Sequence, residues 1–199
     1  DTLEILCNHY YNKTGETAQA LQNIKEYHFN IIRNLFTDTD REVYEKTAHL
    51  FTALETVLET EPSLCYDYEY DRIISFGELL STTIVAAYLE KQGRKAKFVD
   101  IRKCIKTDVN YRNANVDPEL SAQLCRKTFT FQDTFMYITQ GFIAGTTTNQ
   151  TTTLGREGSD YTAALLANLL DAENVTIWKD VPGIMSADPK IYDNTEIIS

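Results

Sequence analysis

The sequence predicts an α/β fold with a mainly parallel sheet flanked by helices and a helical N-terminal third. Three observations support this. Apolar residues recur at three- and four-residue steps through the first sixty residues, and short apolar segments alternate with helical ones after Arg72. The acidic charge is also concentrated in the first part. Strands that alternate with helices are typical of βαβ units with a parallel sheet.

The charge of the chain is unevenly distributed. Its 199 residues carry a formal charge of −10, and residues 1–72 contain 14 acids against 6 bases, whereas residues 73–199 contain 15 against 13. A surface this negative repels phosphate backbones, so we expect no general nucleic-acid binding. No stretch approaches the ~20 apolar residues of a membrane span, so we expect no membrane partner.

The N-terminal third has two clear helical patterns. Apolar residues between Thr17 and Phe36 form one stripe, and a second helix can start at Asp38 or Thr39 and end before Pro62. The alternating aromatic and acidic residues 66–71 show no metal-ligand spacing, and we expect them to be an exposed connection.

After Arg72 the sequence alternates between helical and strand patterns. The pattern predicts helices over 76–92, 118–129 and about 160–170, and strands over 97–101, 135–139 and 175–178. The four cysteines lack the paired spacing of a zinc site or a disulfide scaffold, so reduced thiols in a cytosolic protein are expected. The three histidines are scattered and lack metal-ligand spacing.

One candidate site is the Gly- and Thr-rich segment from Gly145 to Asp160. It follows a strand and opens a helix, where ligands bind in open α/β sheets. Arg156 can hold a carboxylate or phosphate with two parallel hydrogen bonds, Ser159 can donate a hydroxyl, and Asp160 can cap the helix or hold an amine. A flexible polar loop before a capped helix explains the same residues about equally well.

Two further segments carry candidate residues. A Pro-Gly turn follows the last predicted strand, and Lys179 and Lys190 around it provide charge suited to a triphosphate, although a surface turn with solvated lysines is the favoured interpretation of this segment alone. Glu78 is expected in the first turn of a helix, where the helix dipole alone could account for it. Neither a P-loop nor a dinucleotide-binding glycine motif occurs in the sequence.

Together these segments resemble the aspartate kinases of the amino-acid kinase superfamily. The matching pieces, in order, are Phe-Gly-Glu-Leu-Leu-Ser (76–81), Ile-Thr-Gln-Gly-Phe-Ile (138–143), Thr-Thr-Thr-Leu-Gly-Arg-Glu-Gly-Ser-Asp (151–160), and Asp-Val-Pro-Gly-Ile (180–184) with Asp-Pro at 188–189. The resemblance is dense over 73–199 and loose before it. It implies an amino-acid kinase-like fold in which residues 1–199 are part of a catalytic domain, with 1–72 as an acidic helical region and 73–199 as the α/β region that carries the substrate and nucleotide loops.

The resemblance implies transfer of the γ-phosphoryl group of ATP to the side-chain carboxylate of L-aspartate, the first step of lysine, threonine and methionine synthesis. It implies ATP as co-substrate, Mg²⁺ bound through the nucleotide phosphates, a cytoplasmic location and a homo-oligomeric parent. The residue roles that it implies are as follows: Glu78 holds the substrate amino group, Arg156 and Ser159 its carboxylate, Phe142 walls the pocket, Asp160 orients substrate and bases, and Lys179, Asp180, Met185 and Lys190 contact the nucleotide.

Three positions depart from the family pattern. Glu157 stands where Gly is usual, Lys179 where Thr is frequent, and Met185 where Tyr is frequent. The chain also lacks an initiator Met, a Lys-Phe-Gly-Gly-Thr-Ser start, the later nucleotide-site lysine and the regulatory domains, so we expect the isolated 199 residues to be inactive. The alternatives are a non-catalytic amino-acid or nucleotide sensor on this fold, or a sibling kinase for glutamate, acetylglutamate or UMP.

Overall fold

The fold joins an N-terminal group of helices to a small α/β region through one long helix. The computed structural model describes residues 2–179, 183, 185–188 and 191–198. These residues form the α-helices α1 (Thr2–Tyr11), α2 (Thr17–Leu35), α3 (Arg41–Glu59), α4 (Tyr66–Lys91), α5 (Pro118–Thr128) and α6 (Gly158–Leu169), and the strands β1 (Ala96–Val99), β2 (Lys106–Thr107), β3 (Met136–Thr139), β4 (Ile143–Thr146) and β5 (Thr151–Thr153).

The strands form two small sheets. β1 pairs in parallel with β3, with Ala96 opposite Met136, while β2 pairs in parallel with β4. β5 is antiparallel to β4, so the segment predicted as a Gly/Thr-rich loop contains a hairpin instead. The predicted α/β class with mainly parallel pairing and a helical first third is therefore confirmed, and the hairpin is a feature that the sequence pattern did not reveal.

The expected exposed connection at residues 66–71 is wrong. These residues are the first turns of α4, and Glu69 and Asp71 are fully buried. The reason is periodicity: Glu69 continues, at helical spacing, the buried stripe formed further along by Ile73, Phe76 and Leu80. The carboxylates of Glu69 and Asp71, which made this segment look solvated, accept hydrogen bonds inside the fold.

Both carboxylate oxygens of the buried Glu69 accept hydrogen bonds. Its Oε2 accepts a hydrogen bond from Arg72 Nη1 at 2.8 Å, and its Oε1 accepts one from the backbone N–H of Ser63 at 2.8 Å. A buried carboxylate with both oxygens bonded avoids most of the desolvation cost of an isolated charge. Glu69 thereby holds the chain that enters α4.

Asp71 connects α4 to the α/β region. Its Oδ2 accepts from the backbone N–H groups of Thr153 and Arg112, each at 2.9 Å, and its Oδ1 accepts from Thr153 Oγ1 at 2.7 Å. Burial raises the pKa of Asp71, and these three bonds act in the opposite direction. One carboxylate thus fixes the end of β5 and the loop 108–116 to the same turn of α4.

A second polar contact fixes the other side of α4. Gln140, buried at the end of β3, donates from Nε2 to Thr82 Oγ1 at 2.9 Å and accepts from the backbone N–H of Ile101 at 2.9 Å. Thr82 in turn donates to the carbonyl oxygen of Glu78 at 2.6 Å. The turn of α4 that contains Glu78 is therefore held against the segment that follows β3.

α4 is long and apolar enough to cross a membrane by length and composition alone. Core helices of soluble proteins pass the same test, and here Ile73, Leu79 and Leu80 are buried in the hydrophobic core. The criterion therefore carries little weight for α4.

The thiols differ in their surroundings. Cys7, Cys104 and Cys125 are buried and free, whereas Cys65, directly before α4, is free and exposed. Burial raises the pKa of Cys7 to about 11 and that of Cys125 to about 12.

We predict that Asp71→Ala lowers the free energy of unfolding by about 2–4 kcal/mol, because it leaves the buried donors of Thr153 without an acceptor. Urea denaturation measures the change. Asp67→Ala is the matched control: Asp67 lies one turn earlier on the same helix, and its half-exposed ion pair with Arg112 at 3.2 Å should contribute less than ~1 kcal/mol. Equal losses for the two variants would show that the buried bonds of Asp71 are not special.

Candidate active site

The candidate site lies where α4, the segment after β3 and the start of α6 meet. Gly141 and Phe142 pack against the first residues of α6 so closely that side chains are excluded. A Cβ on Gly141 would lie 2.9 Å from Cα of Ser159, and one on Gly158 would lie 2.7 Å from Cδ2 of Phe142. The two glycines therefore allow a contact between protein segments, in addition to any approach to a ligand.

Phe142 is held in a demanding conformation. Its φ of +67° is in the left-handed region, which non-glycine residues rarely adopt. Its backbone N–H donates to Thr162 Oγ1 at 3.1 Å, and its carbonyl oxygen accepts from the N–H of Leu154 at 2.8 Å. These bonds from both sides fix the half-buried ring at the start of α6.

Glu78 lies in the middle of α4, not in a first turn. It is the thirteenth residue of this 26-residue helix, so the helix-dipole explanation for its carboxylate is wrong. Within the described residues its side chain makes no hydrogen bond or ion pair, and burial raises its pKa. A partly buried carboxylate without a partner is suited to receive a cationic group such as an ammonium.

α6 begins two residues earlier than predicted, at Gly158, so Asp160 lies inside its first turn and does not cap it. The N-cap is Glu157, which has φ of +56° and makes no capping hydrogen bond with its side chain. In the described chain the N–H groups of Ser159 and Asp160 have no acceptor, and the Ser159 side chain is exposed. Unpaired N–H groups at a helix start attract anions.

Arg156 lies in the exposed turn directly before α6. Among the described residues its guanidinium has no hydrogen-bond or ion-pair partner, so all five of its donors are open to a ligand. Gly155, with φ of +79°, sets the course of the chain into this turn, and a Cβ there would lie 2.7 Å from Asn113 Oδ1. The loop 108–116, which Asp71 fixes, thereby supports the turn that carries Arg156.

Lys179 meets the acids at the start of α6. Its Nζ lies 2.7 Å from Asp160 Oδ2 and 3.2 Å from Glu157 Oε2. The hydrogen bonds that Lys179 donates to Asp160 and Glu157 raise its pKa, so the ammonium stays charged. The two departures from the family pattern at 157 and 179 thus contact each other.

Of the three other residues predicted to contact the nucleotide, the structure describes only Met185. Met185 is half-buried and forms an isolated antiparallel bridge with Ile197, while Asp180 and Lys190 lie outside the described residues.

The predicted strand 175–178 is wrong: residues 174–179, all described, form no strand, and Trp178 is largely exposed. The apolar run has no neighbouring strand there to pair with.

The structure thus brings Phe142, Ser159, Asp160 and Lys179 to the start of α6, with Arg156 in the preceding turn. Glu78 lies on α4, which contacts the segment after β3 through Gln140, and this segment contacts α6 through Phe142. Sequence reasoning missed Asp71, Thr82, Gln140 and Thr162, whose side chains hold these segments together. The helical spacing of Glu69, Ile73, Phe76 and Leu80 was the available signal that α4 starts early.

Comparison with known proteins identifies the family. The family model described as "Amino acid kinase family" matches residues 10–199. The chain belongs to the amino acid kinase family. Its fold also matches a crystal structure of Escherichia coli aspartokinase III in complex with lysine and aspartate, with a TM-score of 0.85 and 32% identity over 99% of this chain and 44% of that one.

Other relatives of this chain are named as aspartokinases. It is 37% identical over 181 residues to lysine-sensitive aspartokinase 3 of E. coli K12, which is 89% of this chain and 39% of the relative. It is 30% identical over 184 residues to the aspartokinase of Chlamydia trachomatis, covering 92% of this chain and 41% of the relative. The chain therefore spans less than half of the length of these relatives.

We predict that Glu78→Gln makes the protein more stable at neutral pH and removes part of the pH dependence of unfolding. A carboxyl whose pKa is raised by folding stabilises the native state below its unfolded pKa, and this stabilisation is lost as the pH rises through the folded pKa. The stability difference between variant and parent should therefore grow from pH 4 to pH 7 in urea titrations.

Glu55→Gln serves as the control, because Glu55 on α3 already pairs with Lys25. It should be neutral or destabilising at pH 7. A Glu78→Gln protein that is less stable than the parent at every pH would mean that Glu78 has a structural partner.

Proposed function

We propose that the full-length protein is an aspartate kinase, which transfers the γ-phosphoryl group of ATP to the side-chain carboxylate of L-aspartate and forms 4-phospho-L-aspartate. The observation that carries the proposal is the set of unpaired polar groups that Glu78 supplies on α4 and that Arg156 and Ser159 supply at the start of α6. It offers an unpaired carboxylate for an ammonium group, and an unpaired guanidinium with helix N–H groups for a carboxylate. The names of the related aspartokinases and the E. coli complex with aspartate and ADP, at 32% identity, support it.

In this proposal the substrate is held at both ends of its amino-acid group. Glu78 receives the α-ammonium, whose charge compensates the partly buried carboxylate and favours its ionised form. Arg156 binds the α-carboxylate with two parallel hydrogen bonds and Ser159 adds a hydroxyl. Phe142 closes one side of the pocket. The side-chain carboxylate of the substrate is then left to face the nucleotide.

The chemical step needs no general base. An aspartate side chain, with a pKa of ~3.9, is already ionised at neutral pH. One carboxylate oxygen attacks the γ-phosphorus, the bond between this phosphorus and the β–γ bridging oxygen breaks, and ADP leaves with that oxygen. The task of the protein is to align the reactants and to balance the charge on the phosphoryl oxygens.

Nucleotide binding is assigned to Lys179, Asp180, Met185 and Lys190, and Asp160 orients the substrate and the bases. In the described residues no three His, Cys, Asp or Glu side chains form a metal cluster. In this proposal Mg²⁺ is held through the nucleotide phosphates, where it would neutralise charge on the transferred group.

The 199 residues form part of a catalytic domain in this proposal, with an acidic helical region at 1–72 and an α/β region at 73–199. We also propose a cytoplasmic location, a homo-oligomeric full-length protein, and no nucleic-acid or membrane partner. A net charge of −10 is consistent with the absence of phosphate-backbone binding.

We predict that the full-length protein, supplied with Mg-ATP and hydroxylamine, forms a hydroxamate from L-aspartate and none from L-glutamate. Hydroxylamine converts an acyl phosphate to a coloured hydroxamate, which is quantified by its iron complex. Hydroxamate from glutamate instead would indicate a sibling kinase. Aspartate binding in calorimetry without any hydroxamate would contradict the kinase proposal and favour a sensor.

We predict that Arg156→Ala raises the KM for aspartate and lowers kcat/KM at least tenfold, which is ~1.4 kcal/mol of transition-state stabilisation. The loss follows from removal of the two hydrogen bonds to the substrate carboxylate. Arg33→Ala is the control, because Arg33 is exposed on α2 and pairs with Asn30 of the same helix. Unchanged kinetics in Arg156→Ala would remove Arg156 from the substrate site.

A further inference from the structure

The start of α6 has a backbone feature that the proposed roles do not explain. Glu157, the N-cap, adopts φ of +56°, a left-handed conformation that costs a non-glycine residue free energy. Its side chain makes no capping bond to the helix. Strain of this kind persists where surrounding contacts enforce it, and it is concentrated at functional positions.

The side chain of Glu157 is directed to Lys179. Glu157 Oε2 lies 3.2 Å from Lys179 Nζ, and Asp160 Oδ2 lies 2.7 Å from the same atom. Positions 157 and 160 are three residues apart, so one turn of chain presents two carboxylates to one ammonium. Lys179 lies in residues 174–179, which are exposed and form no helix or strand.

We infer that Glu157 is a positioning residue for Lys179: together with Asp160 it holds the Lys179 ammonium at the start of α6, where the phosphate chain of a nucleoside di- or triphosphate binds. This inference rests on the proposed function, because the nucleotide contact of Lys179 belongs to that proposal. The phosphate oxygens contact Lys179 on the side that the two carboxylates leave open. The side chain of Lys179 is 44% exposed, which leaves room for such a ligand.

The inference separates two opposing effects of Glu157. Its negative charge repels a nearby phosphate anion, whereas its ion pair restricts the Lys179 side chain to a productive position. If positioning dominates, neutralising Glu157 weakens nucleotide binding. If repulsion dominates, neutralising it strengthens binding.

A double-mutant cycle tests the inference in the full-length protein, with the dissociation constant of Mg-ADP measured by calorimetry. Glu157→Gln should weaken ADP binding by about two- to fivefold, within the range of a surface ion pair. In a Lys179→Met background the same substitution should have no effect or should strengthen binding, because Lys179 is no longer there to be positioned. The expected result is therefore that the weakening caused by Glu157→Gln disappears or reverses when Lys179 is absent.

Glu157→Gly distinguishes positioning from a purely structural role. Glycine adopts φ of +56° without strain, so the variant should be at least as stable in urea as the parent while it binds ADP more weakly. Tighter ADP binding in either single Glu157 variant, or an equal loss in both lysine backgrounds, would overturn the inference. Because ADP binding is measured without turnover, a protein that binds ADP and forms no aspartyl hydroxamate would refute the kinase proposal and leave this inference standing.

Discussion

The carboxylate of Asp71 is the interaction on which the arrangement of the site depends. It lies fully buried on α4 and accepts three hydrogen bonds from two other segments, the end of β5 and the loop 108–116. The chain continues from β5 to Gly155 and Arg156, and Asn113 of the loop lies against Gly155. A single buried acceptor thereby determines where the turn before α6 begins, at the cost of removing a carboxylate from water.

α4 carries this fixed point and the proposed amine-binding group together. Asp71 and Glu78 are seven residues apart, about two helical turns or ~10 Å along the axis, so they lie on nearly the same face. Gln140 and Thr82 hold the second of these turns against the segment after β3. The position of Glu78 is therefore set by helix geometry and by the polar contacts that Asp71 and Thr82 make on either side of it.

The sequence predicted those parts of the structure that depend on periodic apolar burial. The stripes of α2 and α3 and the apolar runs of β1 and β3 are local patterns, and the structure confirms them within a few residues. Residues 66–71 were misjudged because their acids look solvated, although Arg72, Thr153 and backbone N–H groups supply their partners from elsewhere. The β4–β5 hairpin was missed because Thr-rich strands lack an apolar signal, and residues 175–178 have the composition of a strand without a strand to pair with.

The site residues were found by motif, whereas the contacts that hold them were not. No local signal indicates that Gly141 must lack a side chain because Ser159 lies against it, or that Glu157 adopts a left-handed backbone conformation next to Lys179. These are relations between distant segments, and only the fold creates them.

The different exposure of the thiols makes it possible to label the chain selectively next to α4. Thiolates, not thiols, react with alkylating reagents, and burial keeps Cys7 and Cys125 protonated, with pKa values of about 11 and about 12. Cys65 is exposed immediately before the helix that carries Asp71 and Glu78. A maleimide fluorophore would therefore attach there in the native protein without mutagenesis, and its polarisation would report any reorientation of α4 when ligands bind.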